Sequence, residues 1–147
     1  MKLKVFASGA ARSRRVLWAL EEIGAPYEVE TLAFPPRLRE PEYVEMNPAA
    51  AVPAIRDGSA IVIESLAICE YLARKHGSNL VVGPEEPGFL DYLQYLHFGE
   101  STLTPPLGWV ARFGRGERRL EPVVAEARET FSQRLTAIDR LLDDGRE

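Results

Sequence analysis

Apolar and polar positions alternate from Lys2 to Ala7, the period-two pattern of a strand. After the small-residue loop Ser8-Gly9-Ala10-Ala11 the period changes. Val16, Leu17, Leu20 and Ile23 recur at helical spacing in a helix opened by Arg12 or Ser13 and stopped by Gly24. Pro26 to Leu32 returns to strand texture, parallel to the first strand through a βαβ crossover. A proline-containing connection with a short helix near Pro41 to Glu45 follows. Two apolar strands, Val52 to Ile55 and Ile61 to Ile63, then flank Asp57-Gly58, a strong hairpin turn signal. A helix from Ser65 to His76, closed by Gly77, completes the order β-α-β, connecting helix, β-β-α.

From Ser78 to Gly88 the text turns to glycine, proline and acids, which predicts a linker between a domain over 1–77 and a second over 89–147. The second half reads as helical throughout. Leu90, Leu93, Tyr95, Leu96 and Leu103 share a helix that Thr104-Pro105-Pro106 is expected to break. Another helix begins near Pro122, a favoured first-turn position, with Val124, Phe131 and Ile138 every seven residues and Leu135 and Leu142 extending the stripe. Two apolar-faced helices bury their stripes poorly alone, so the expectation is an incomplete all-α domain whose stripe is partly exposed and favours association.

Composition narrows the classes. Hydrophobic residues make up 46% and charged residues 27% of the 147, as in soluble globular proteins. No run approaches the ~18 apolar residues of a membrane span, and the amino terminus enters a strand directly with no signal peptide. A net charge of −4 argues against a nucleic-acid platform. The single cysteine, Cys69, rules out an internal disulfide and zinc-finger spacing and fits a reducing cytoplasm. Helical spacing puts Cys69 with Leu66, Leu72 and Ala73, so a buried apolar role is expected, and with no second cysteine dithiol redox catalysis is excluded.

The chemistry concentrates between Asn47 and Ile68. Val52-Pro53 leaves an extended backbone edge that a peptide can pair with, because proline donates nothing to a ladder. Glu64-Ser65 sits where the second hairpin strand feeds a helix, and helix N-termini collect anions. Together these are the parts of a small-peptide site with a carboxylate clamp. The same two residues also read as a plain N-cap with a dipole-compensating acid.

The run Ser13-Arg14-Arg15-Val16-Leu17-Trp18-Ala19-Leu20-Glu21-Glu22-Ile23-Gly24, with Asn47-Pro48 through Val52-Pro53-Ala54, Glu64-Ser65-Leu66-Ala67-Ile68, Tyr92 to Phe98 and Pro105-Pro106, resembles the glutathione S-transferase family in its bacterial cytosolic form. The resemblance spans essentially the whole chain. It implies a thioredoxin-like amino-terminal α/β domain, an all-helical second domain and a homodimer. It implies that Val52 pairs with glutathione through its backbone, that Pro53 follows a cis bond, that Glu64 binds the γ-glutamyl ammonium and that Ser65 binds its carboxylate. His97 would border the pocket for a small hydrophobic electrophile or else lie at the surface. No metal is implied; glutathione is a co-substrate.

One element of the family pattern differs. A free thiol is only about 3% ionised at pH 7, and lowering its pKa by about two units takes roughly 2.7 kcal/mol. The family supplies a Ser, Tyr or Cys for this after the first strand, where this chain has Ala10 or Ala11. Ser13 with a shifted loop, or Arg12 with the helix-start amides, could stabilise the thiolate instead. Ser13 also reads as an ordinary N-cap. A conjugating transferase is the leading expectation. A glutathione-binding or interaction module without turnover, or a glutathione-dependent isomerase or dehalogenase, are the alternatives. Trp109 and Phe113 read as core or dimer contacts, and Arg112, Arg115, Arg118 and Arg119 as a solvated face.

Overall fold

The computed structural model describes residues 2–9, 12–36 and 39–143. Ala10 and Ala11, the positions expected to stand in the serine column, lie outside the described residues.

The chain forms two compact units, 1–87 and 88–147. In the first, strands β1 (Leu3–Ala7), β2 (Tyr27–Thr31), β3 (Ala54–Asp57) and β4 (Ala60–Ile63) make one sheet in the order β2-β1-β3-β4. β2 runs parallel to β1, whereas β3 is antiparallel to both β1 and β4. Helices α1 (Ser13–Ile23), α2 (Pro41–Met46) and α3 (Ser65–Lys75) complete the unit. This is the thioredoxin-like arrangement of a mixed sheet with helices on its faces.

Alternation along β1 explains the layering. Val5 pairs with Ile55, and both join Val16 and Leu20 of α1 and Ile68 and Leu72 of α3 in one fully buried cluster. Phe6 pairs with Ala54 and faces the other way, onto Leu32 and Tyr43. The Phe6 and Tyr43 rings lie 5.4 Å apart and tilted, so α2 covers the second face. Gly24 ends α1 at φ +72°, a conformation that costs glycine little. Cys69 is half-buried against the first cluster, where burial pushes its thiol pKa up and the charge of Arg15 partly opposes that.

The second unit holds α4 (Phe89–His97), α5 (Thr104–Phe113) and α6 (Glu121–Leu142). The expected break at Thr104-Pro105-Pro106 is a change of helix type instead. A π-helical turn over Phe98–Leu103 joins α4 to α5, and the prolines fall in the first turn of α5, where a missing N–H is tolerated. Thr104 Oγ1 donates to the Gly99 carbonyl at 2.9 Å. Pro106 has no N–H for the Thr102 carbonyl, and the Arg134 guanidinium of α6 donates to that oxygen. Val124 and Ala127 are buried, while Leu135 and Leu142, on the expected stripe, are exposed. Among the described residues no helix is long and apolar enough to cross a membrane.

Candidate functional site

The loop between α2 and β3 is built around Asn47, which is 2% exposed. Its Nδ2 donates to the Tyr43 hydroxyl at 3.1 Å and to the Ala51 carbonyl at 2.9 Å, and its Oδ1 accepts the Ala49 N–H at 3.1 Å. The Tyr43 hydroxyl donates to the same Ala51 carbonyl. These bonds hold the backbone immediately before Val52-Pro53, whose peptide bond is cis. Phe34-Pro35 is cis as well, which the sequence pattern did not single out.

At the far end of the hairpin the chain turns sharply from β4 into α3. Glu64 makes that turn at φ +69° and ψ 114°, outside the regions a residue with a Cβ ordinarily occupies. Such conformations cost on the order of 1–3 kcal/mol and persist where surroundings over-determine them. Glu64, not Ser65, stands at the N-cap position of α3, and it makes no side-chain cap hydrogen bond to the helix. Ser65, 4% exposed, is the first residue of the helix.

Between the two turns lies a cavity lined by Arg12, Asn47, Ala49, Ala51, Val52, Pro53, Ile63, Glu64 and Ser65. It brings together five of the seven positions singled out from sequence: Arg12, Val52, Pro53, Glu64 and Ser65. Its wall combines a guanidinium, a carboxylate and the amino-terminal end of an eleven-residue helix. A ligand carrying both a carboxylate and an ammonium would find complementary charge in it.

Ser13 is placed elsewhere. It is 1% exposed, its Oγ accepts the Ser8 N–H at 3.3 Å, and it is not part of the cavity lining. His97 belongs to the second unit, where it borders an open groove of roughly 360 Å³ with Leu90, Leu93 and Phe98. Two site residues escaped the sequence reading in their structural role. Asn47 stood in a quoted motif but carried no assigned task. Arg15 donates from Nη1 to Ser65 Oγ at 3.3 Å across fifty positions of chain. Its place one helical turn after Arg12 was the available signal.

Fold and site together define a thioredoxin-like domain with a cavity of mixed charge between a cis-proline loop and a helix start. Residues 11–75 match the family model described as the glutathione S-transferase N-terminal domain. A 96-residue stretch is 34% identical to glutathione S-transferase 3 of Schizosaccharomyces pombe, covering 65% of this chain and 40% of that protein. Glutathione transferase URE2P6 of Phanerochaete chrysosporium, solved with oxidised glutathione, superposes with a TM-score of 0.85 at 27% identity, over 97% of this chain and 69% of that one. URE2P8 of the same fungus superposes at 0.87 over 97% and 68%, and at 22% identity it speaks to the fold alone.

Proposed function

We propose that the chain binds glutathione in the Arg12–Val52–Glu64–Ser65 cavity and joins its thiolate to small apolar electrophiles. The observation that carries this reading is the convergence on one cavity of the cis-proline loop, the Glu64 carboxylate and the α3 start. In it, Val52 pairs with the peptide backbone, Glu64 receives the γ-glutamyl ammonium, and Ser65 with the first amides of α3 receives the carboxylate. The thiol proton leaves to water. The sulfur then attacks the electrophilic carbon, and the leaving group departs with the electron pair of the broken bond. Arg12 lines the cavity and Ser13 does not, so Arg12 is the group assigned to the thiolate. The exposed apolar residues of the second unit, Leu90, Trp109 and Leu142 among them, support a homodimer, and a cytoplasmic location, where thiols are kept reduced, goes with glutathione as the ligand.

A second reading has its own support. The Ser13 hydroxyl is buried and stands outside the cavity lining, which favours a glutathione-binding or interaction module without turnover. Calorimetric titration with glutathione, alongside a chlorodinitrobenzene conjugation assay, separates the two. Binding with turnover that survives Ser13→Ala and falls at least tenfold in Arg12→Ala supports the transferase. Binding without turnover selects the module. Wild-type protein that takes up no glutathione overturns both. A monomer by light scattering at micromolar concentration would remove the dimer.

A further inference from the structure

The bond between Arg15 and Ser65 carries a consequence for ligand recognition. A serine hydroxyl has one hydrogen to give and two lone pairs to accept with. Ser65 Oγ already accepts from the Arg15 guanidinium, in a partly buried setting. Its hydrogen is therefore left for an acceptor, and Ser65 is part of the cavity wall. A hydroxyl that receives a charged donor is polarised and becomes a better donor itself, and the reduced local dielectric strengthens both bonds. The guanidinium also places positive charge behind the hydroxyl. Cys69, one helical turn further along α3, feels the same charge against the effect of its burial, which locates Arg15 along the Ser65–Cys69 side of the helix.

We propose that Arg15 is a positioning residue that commits the Ser65 hydroxyl to donate, and so selects a carboxylate over a neutral or cationic group at that end of the cavity. The proposal rests on the glutathione reading. It assigns to Arg15 the discrimination for the γ-glutamyl α-carboxylate, although that group meets Ser65 and the α3 amides rather than Arg15. The bland alternative is that Arg15 only staples α1 to α3, which would affect every ligand alike.

The test compares glutathione with γ-aminobutyryl-cysteinyl-glycine, which lacks only that α-carboxylate and keeps the amine. Both are titrated calorimetrically into wild type, Arg15→Met, Arg15→Lys, Ser65→Ala and the Arg15→Met/Ser65→Ala pair. Wild type is expected to prefer glutathione by about tenfold or more, the worth of one charge-assisted hydrogen bond. Arg15→Met should weaken glutathione about tenfold and leave the analogue within about twofold, so that the preference collapses; Arg15→Lys should restore part of it. The double variant should bind glutathione no more than about twofold more weakly than Ser65→Ala alone. Unchanged analogue affinity also reports that the variant is folded. Equal losses for both ligands, or no loss for glutathione, overturn the proposal in favour of the staple. Wild type that binds neither ligand overturns the glutathione reading itself, and this inference with it.

Discussion

The two units treat their apolar residues differently. In the first, Val5, Val16, Leu20, Ile55, Ile68 and Leu72 are sealed completely between a sheet and two helices. In the second, burial is confined to small or helix-facing groups such as Pro106, Val124 and Ala127, while Leu90 is 75% exposed. A sheet has a face wide enough for two helices to cover, so a short chain can close a core around it. Three helices meet along narrow stripes and leave their outer rows in water. Every lining residue of the candidate site comes from the closed unit, and a site that must be held to a fraction of an ångström needs such support.

The sharpest way to break this contrast is to delete equal side chains from each unit. Leu20→Ala is expected to cost about 2–5 kcal/mol, whereas Leu90→Ala should stay within about 0.5 kcal/mol. Trp18 and Trp109 lie one in each unit, so Trp18→Phe and Trp109→Phe backgrounds let urea denaturation followed by fluorescence report each unit separately. Comparable losses for the two leucines would dissolve the distinction.

Asn47→Ala comes next. It removes three hydrogen bonds from a buried position, for an expected loss of about 1–3 kcal/mol, seen in the Trp18 signal and accompanied by weaker glutathione uptake. Full affinity in a destabilised Asn47→Ala protein would detach the loop from the site. Arg134→Met probes the second unit at the Thr102 carbonyl that Pro106 leaves unserved. About 1 kcal/mol should be lost, and only from the Trp109 transition.

The smallest effect is a pH dependence. The hydrogen bond from Lys75, then that from Tyr71, holds the Asp57 carboxyl below its ordinary value of 3.8. A carboxylate with a depressed folded pKa contributes stability above its unfolded pKa, and that contribution disappears as pH falls through the folded one. Asp57→Asn should therefore be slightly less stable than wild type at pH 7 and converge with it toward pH 2. Parallel acid-melting curves would show that the contact does not register.

Local chemistry was the legible part of this molecule. The start and end of α1, the hairpin turn and the start of α3 all rest on residues within a few positions of one another, and the structure draws these elements close to where the spacing put them. The Val52-Pro53 loop and the Glu64-Ser65 corner were legible as a group because they occupy one continuous stretch. Ser13 was ambiguous because capping and catalysis ask for the same hydroxyl at the same helix end, and only the path of the preceding loop decides what it meets. The Arg15–Ser65 bond joins helices fifty residues apart and has no local signature. Thr104-Pro105-Pro106 misled for a different reason. Proline withholds a donor, which reads as a stop, yet a π-turn and an arginine from another helix let the helical path continue.

Glu64 has a consequence for anyone who would engineer this protein. A glycine would take φ +69° freely, gaining the ~1–3 kcal/mol of relieved strain and giving back about 0.4–1 kcal/mol in the entropy of a looser unfolded chain. On folding alone, glycine is the better residue there. The chain carries a carboxylate instead, so a search for thermostable variants would be drawn to a corner where, on the glutathione reading proposed above, a sturdier protein is also one that has lost its grip on an ammonium group.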